Sequence, residues 1–367
     1  MRILIDAHMV GERETGNETY IANLLRGLAG LNKSEEIIVA AAHPPAVEPF
    51  IAQGCGFRVV PVSVNPARRL LWELPALARR FKADVACVTY AGPLALPCPM
   101  AVAVHDVAYK RHPEWFSVRD RLVLNLGVGV TVRRASAVIT ISEFSRREIQ
   151  AFYPVPERRI HVTHLAAAPQ FNPQDRDDAA TLESHGIRKP YILAVGNLQP
   201  RKNLVRLVEA FGRAIASKDF QHDLVLTGKA QWRESEVGTV VQRLKLTDRV
   251  RTTGYVAAQD LPALYRGADL FAYPSLYEGF GLPILEAMAC GTPVLTSNVA
   301  SIPEICGTAA RLVNPCSIEE LTQGLADLCT QPEERELWRR KGLAHARNFT
   351  WERTAQQTLD ILHSLAP

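Results

Sequence analysis

Short apolar runs bounded by turn residues alternate with helical patterns along the whole chain. In the first half the runs Arg2–Asp6, Glu36–Ala41, Phe57–Val62, Val85–Val88, Met100–Val104 and Ala137–Ile141 read as strands. In the second half Tyr191–Val195, Asp223–Thr227, Val250–Thr253, Leu270–Ala272, Pro293–Ser297 and Ala310–Val313 read the same way. Apolar residues recur at helical spacing between them, as in Tyr20–Gly30, Leu204–Ala216, Ser235–Lys245 and Asp260–Gly267. Continuous apolar strands separated by helices predict parallel sheets covered on both faces. Two such series predict an α/β chain of two doubly wound, Rossmann-like domains.

Length agrees, because 367 residues exceed the ~250–300 at which a single core stops growing. The boundary falls in Ala168 to Lys189, where Pro169, Pro173 and the polar run Gln174–Asp178 interrupt the periodicity just ahead of Pro190. The expected domains are residues 1–170 and 186–349, with the last helix, about 350–367, packing back on the first. Open α/β sheets bind ligands beyond the carboxyl ends of their strands. Two such domains facing each other across a cleft would therefore carry function in the loops that follow strands.

Composition narrows the partners. Hydrophobic residues make up 47% and charged residues 22%, values of an ordinary globular protein. A net charge of +4 argues against a nucleic-acid binder. Basic pairs nevertheless recur in the first half: Arg68-Arg69, Arg79-Arg80, Lys110-Arg111, Arg133-Arg134, Arg146-Arg147 and Arg158-Arg159. They suit an anionic acceptor or an anionic lipid surface, although solvated helix faces account for them equally well. The segment Asn65–Lys82 adds Leu70, Leu71, Trp72, Leu74, Leu77 and Phe81 beside four arginines, a basic amphipathic stretch that reads first as a helix covering its own sheet. Seven cysteines without a Cys-x-x-Cys pair fit reduced thiols. The opening MRILIDAHMV reads as a strand and not as a signal peptide, and no run approaches the ~18 apolar residues of a membrane span. A cytoplasmic location, with any contact on the inner membrane face being peripheral, is the expectation.

Candidate chemistry concentrates in PSLYEGFGLPILEAMACGTPV, Pro274 to Val294. A strand end leads into a loop with Glu278, Gly279, Phe280 and Gly281; Pro283 then opens a helix that closes at Gly291. The glycines admit close approach of backbone amides to a ligand, and the helix start favours phosphate. Glu278 precedes the helix and Glu286 lies about one turn inside it, so one carboxylate can address a sugar hydroxyl and the other ribose hydroxyls. In YILAVGNLQPRKNLVRLVEAF, Tyr191 to Phe211, a strand ends at Gly196-Asn197 and Arg201-Lys202 precede a helix capped by Asn203. Two cations at the top of a sheet make an anion site. Asp175-Arg176-Asp177 has the spacing of a metal-binding pair, but its place in the polar linker makes it solvated charge.

The arrangement E-GFGLPIL-E followed by A-x-A-x-G-x-P-V resembles the signature of glycosyltransferase family 4, the retaining group 1 enzymes of GT-B fold. The resemblance is strong from Tyr191 to Val313 and looser before it. It implies that Glu278 contacts the donor sugar and Glu286 the nucleotide ribose, with amides around Phe280, Gly281 and Leu282 facing diphosphate or sugar. It implies that Arg201 and Lys202 hold the diphosphate, so that neither metal nor other cofactor is required. Tyr255 and Val256 would line the base, where simple core packing accounts for them as well. His105, just after a buried strand, would face the donor sugar. Gly16, in the loop from Val10 to Tyr20, would approach donor phosphate and acceptor. The stretch YKRHPEWF, with Lys110, Arg111, His112, Trp115 and Phe116, is typical of a mannosyltransferase-like branch and would shape the acceptor pocket. The implied reaction passes a hexose, mannose favoured, from a nucleoside-diphosphate sugar such as GDP-mannose to a hydroxyl of a saccharide or lipid-linked acceptor in surface polysaccharide or glycan assembly. Retention would follow from front-face displacement, since no carboxylate stands out as a covalent nucleophile. A sugar-nucleotide epimerase of the same fold, or an idle nucleotide-sugar-binding protein, is the alternative.

Overall fold

A computed structural model describes residues 1–12, 15–31, 34–51, 56–174, 178–216, 220–228 and 236–366. Cys55 and Asp175-Arg176-Asp177 lie outside the described residues. The chain forms two compact units: Met1–Leu165 with the terminal segment from Thr350, and Ala166–Phe349.

The first unit carries seven strands: β1 (Arg2–Asp6), β2 (Glu36–Ala41), β3 (Phe57–Pro61), β4 (Val85–Thr89), β5 (Met100–Ala103), β6 (Ala137–Thr140) and β7 (Ile160–Val162). Their order is β3-β2-β1-β4-β5-β6-β7, parallel throughout. Strand side chains alternate between faces. Leu4, Ile38, Ala86, Val102 and Val138 therefore look to one side, where they share a buried cluster with Leu74, Leu77, Val128 and Val132 of two helices, Leu74–Arg80 and Val118–Arg134. The helix Trp351–Leu365 packs on Thr15–Gly30 and on β4 and β6, and Thr354 Oγ1 donates to the His164 carbonyl at 2.5 Å.

The second unit carries β8 (Tyr191–Val195), β9 (Asp223–Thr227), β10 (Val250–Gly254), β11 (Leu270–Tyr273), β12 (Val294–Ser297) and β13 (Arg311–Val313). Their order is β10-β9-β8-β11-β12-β13, again all parallel. Helices such as Leu204–Ala214 and Ile318–Thr330 bury Leu207, Phe211, Leu321 and Leu325 against it. In each sheet the order reverses once, between β1 and β4 and between β8 and β11, which opens a crevice outside the strand ends at each point.

Four details differ from the sequence reading. β7 was not among the expected strands, being three residues long and following Pro154 and Pro156. The stretch Ala168–Lys189, which interrupts the periodicity, contains a short helix not among those expected: Ala179–Ser184, whose Leu182 is buried, and Asp178 just before it holds Arg266 through two bonds of 2.6 and 2.7 Å. Gly16 sits inside the first turn of the helix Thr15–Gly30, not in a loop. Asn203 does not cap its helix with its side chain. It adopts a left-handed φ of 58°, tolerable for asparagine, and its amide donates to the carbonyls of Pro274 and Pro315 at 3.0 and 2.7 Å.

Candidate active site

Where the second sheet reverses, the loops after β8 and β11 meet. Pro200–Lys202 forms a single tight turn, and the Leu276 amide donates to the Arg201 carbonyl at 2.8 Å, stitching one loop to the other. Lys202 thus reaches Glu278 across 76 residues of sequence, Nζ donating to Oε1 at 2.6 Å, while an Arg201 amino group donates to Oε2 at 2.7 Å. Tyr273, the last residue of β11, donates from its hydroxyl to Glu278 Oε1 at 2.8 Å and also bonds Lys202 Nζ, which lies 4.6 Å from the ring centroid. Ser301 Oγ donates to the Glu278 carbonyl at 2.8 Å and holds the loop from below.

Gly196 makes room for this. A methyl group on its Cα would come within 3.2 Å of Lys202 Cε, and its φ of 150° is one that side chains rarely adopt. Asn197 continues that turn, its carbonyl accepting from the Gln199 amide at 2.7 Å.

Glu278 is buried, and burial by itself pushes its carboxyl upward; Lys202 and Arg201 outweigh this and hold it at about 2. One carboxylate between two cations leaves the cluster with a net positive charge. That charge stands beside the start of the helix Leu282–Ala289, which Gly281 enters with a left-handed φ of 95°. Phe280 turns inward, its ring meeting that of Phe349 at 6.3 Å, so the segment offers main chain and not an aromatic face. Glu286, on the same helix, has no ion-pair partner among the described residues. Burial raises its carboxyl to about 7, partly offset by the Tyr265 hydroxyl donating at 3.1 Å. Val256 is buried and Tyr255 exposed, in the loop after β10.

In the first unit, His105 follows β5, the strand next to β4 and one place beyond the reversal of that sheet. Its Nδ1 is 2.9 Å from Asn17 Oδ1, which accepts the ring proton, and the rings of Tyr20 and Tyr90 meet it edge-on at 4.5 and 5.6 Å. Burial pushes its pKa down to about 4, so the imidazole is neutral at pH 7. Gly16 has open space where a side chain would lie. In YKRHPEWF, Arg111 is engaged by Glu148 at 2.5 and 2.8 Å, and His112 stacks on Trp115 at 3.9 Å.

The structure therefore brings Arg201, Lys202, Glu278 and Gly196 into one cluster, sets Glu286 and Gly279–Leu282 on the adjoining loop and helix, and keeps His105 in the other unit. Tyr273, Tyr265, Ser301 and Asn17 belong to these networks and carry no motif. The one sequence signal for Tyr273 is its place at a strand end just before the loop. Among the described residues no group of three His, Cys, Asp or Glu side chains is arranged to hold a metal ion.

Two parallel Rossmann-like sheets, the second with a basic pair and a carboxylate at its reversal, are the architecture of GT-B enzymes. The chain belongs to the glycosyltransferase family: the family described as Glycosyl transferases group 1 matches residues 177–345, and Glycosyltransferase Family 4 matches residues 15–169. It is 34% identical over 259 residues to O-antigen chain mannosyltransferase B of Escherichia coli, covering 70% of this chain and 68% of that one. It is 29% identical over 233 residues to the serotype-specific mannosyltransferase WbdA of Escherichia coli, covering 62% of this chain and spanning 28% of the relative. The fold is similar to that of Anabaena Alr3699/HepE in complex with UDP and glucose, with a TM-score of 0.76, 21% identity and 100% of both chains covered.

Proposed function

We propose that the enzyme moves a hexose, mannose in the first instance, from a nucleoside-diphosphate sugar to a hydroxyl of a saccharide or lipid-linked acceptor, with retention, in surface polysaccharide assembly. The observation that carries this reading is the Arg201–Lys202–Glu278 cluster at the strand reversal. As the bond to the sugar breaks, negative charge grows on the departing diphosphate. Cations already fixed by Glu278 and Tyr273 meet that charge without reorganising, an effect often worth ~10²–10³ in rate per group. The reading needs no metal for the same reason.

Glu278 is fully ionised and committed to two cations, which suits a hydrogen-bond acceptor for a sugar hydroxyl and not a proton donor. Glu286, in its deprotonated form, would accept from the ribose. His105, neutral and oriented by Asn17, would face the sugar, and Gly279–Leu282 would offer amides to the phosphates. Mannose is supported by the name of the O-antigen relative, which is similar over most of its length, and by the HPEWF stretch.

Thermal stabilisation by a panel of nucleotide sugars identifies the donor. Acceptor-dependent release of nucleoside diphosphate then measures turnover, and the anomeric configuration of the product tests retention. Release of a free sugar epimer with no dependence on acceptor would overturn the reading in favour of an epimerase.

A further inference from the structure

The helix Val118–Arg134 is buried only in its second half, at Val128, Gly129, Thr131 and Val132. Its first half presents Val118, Leu122, Val123 and Leu126 to solvent, exposed by 71%, 58%, 63% and 68%. Residues three and four apart are neighbours on one side of a helix, so Val118, Leu122 and Leu126 form a stripe with Val123 at its edge. A surface helix ordinarily turns its polar side outward, and single exposed apolar residues need no explanation, whereas a contiguous group marks an interaction surface.

A second element on the same face of the sheet also exposes apolar side chains. Arg69–Glu73 is a π-helical turn; Arg69 points inward, 3.4 Å from the buried Asp6, and leaves Leu71 and Trp72 exposed by 51% and 72%. Leu74 and Leu77, just beyond, share their buried cluster with Val128 and Val132, so both elements cover the same face of the first sheet. The loop carrying exposed Leu94 is fastened to the long helix, Gly92 N–H donating to Thr131 Oγ1 at 3.0 Å. Charge selects the occupant. The long helix holds Arg119, Arg121, Arg133 and Arg134 against a single acid, Asp120. The other segment adds exposed Arg79, Arg80 and Lys82. A second copy docked symmetrically would set arginine against arginine. An anionic lipid surface supplies hydrocarbon for the stripe and phosphate for the cations.

We infer that this face seats the protein on an anionic phospholipid bilayer, with Trp72, Leu122 and Leu126 entering the boundary between headgroups and acyl chains. The surface is independent of donor chemistry, so its test is too. The full-length protein is sedimented with vesicles of phosphatidylcholine alone and of phosphatidylcholine mixed with phosphatidylglycerol. The expected result is binding to the mixed vesicles that weakens with salt. The double variant Leu122→Ser/Leu126→Ser loses about tenfold or more of that binding, and Arg133→Gln and Arg134→Gln lose about fivefold each. Leu244→Ser, at an exposed leucine of the second unit, binds as the parent does and keeps the comparison fair. All these side chains are exposed except for contacts at the surface, and unchanged circular dichroism and Tm verify folding. Equal binding by parent and double variant overturns the inference, as does no binding of the parent to mixed vesicles. A parent that dimerises in sedimentation velocity through Leu122 and Leu126, with lipid binding untouched, overturns it in favour of a second copy.

Discussion

Glu278 and Glu286 are equally hidden, exposed by 6% and 8%, and sit eight positions apart on one loop and helix, yet their carboxyls lie at about 2 and about 7. Burial pushes both upward. Only Glu278 has Lys202 and Arg201 against it, and only there does attraction win. The difference teaches that the loop holds its carboxylate ionised with the protein's own cations, whereas the helix interior holds a carboxyl near the point of losing its proton. A carboxylate can stay ionised out of water when cations and hydrogen bonds replace its hydration.

Removing the cation breaks the comparison most severely. Lys202→Ala is expected to cut turnover by ~10²–10³, read as acceptor-dependent release of nucleoside diphosphate; a variant as fast as its parent would remove the cluster from the reaction. Stability is the next test. The folded pKa of Glu278 lies below its ordinary value of 4.5, so the carboxylate contributes stability that is fully present above 4.5 and lost as pH falls toward 2. Glu278→Gln should therefore lower unfolding free energy by on the order of 3 kcal/mol at pH 7, with the Tm gap closing in acid. A gap that persists at pH 2 would assign the loss to packing instead.

Glu286 should behave in the opposite sense. Its folded pKa is raised from 4.5 to about 7, so the folded state prefers the protonated form, and stability declines as pH rises from 4.5 through 7. Glu286→Gln should gain about 2 kcal/mol relative to its parent at pH 8 compared with pH 5, while donor affinity falls. Donor affinity of the parent should itself weaken below pH 7 as the carboxylate takes up its proton; a flat profile from pH 5 to 8 would show that the ribose does not depend on this charge. Gly196→Ala is the mildest test. Crowding Lys202 Cε and straining the backbone should cost about 1 kcal/mol and lower turnover more than donor affinity, because the lysine is displaced and not removed.

Legibility in the sequence followed distance along the chain. The segment from Glu278 to Glu286 was readable because loop, glycines, helix start and both acids fall within one short stretch. Strands such as β1, β2, β8 and β9 were readable because burial on both faces leaves an unbroken apolar run. Lys202 was recognisable as a cation near a helix start, but its bond to Glu278 was not, nor were Tyr273 between them, Tyr265 on Glu286 or Asn17 on His105. Asn203 was misread for a related reason: its residue type suits a cap, and only the neighbouring carbonyls of Pro274 and Pro315, the latter 112 residues away, draw its amide elsewhere. The outward stripe of Val118–Arg134 escaped the periodic reading because a helix apolar on two sides shows little contrast.

What the residues by themselves determined is the alternation of strand and helix, the two-sheet α/β class and the identity of the charged groups, because those depend on local period and local chemistry. Which charges meet was decided only by the tertiary structure. Pairing β8 with β11 at a point of reversal sets two loops, remote along the chain, side by side. The energy of a charge buried there depends on what stands within a few ångströms of it, and that is a property of the fold.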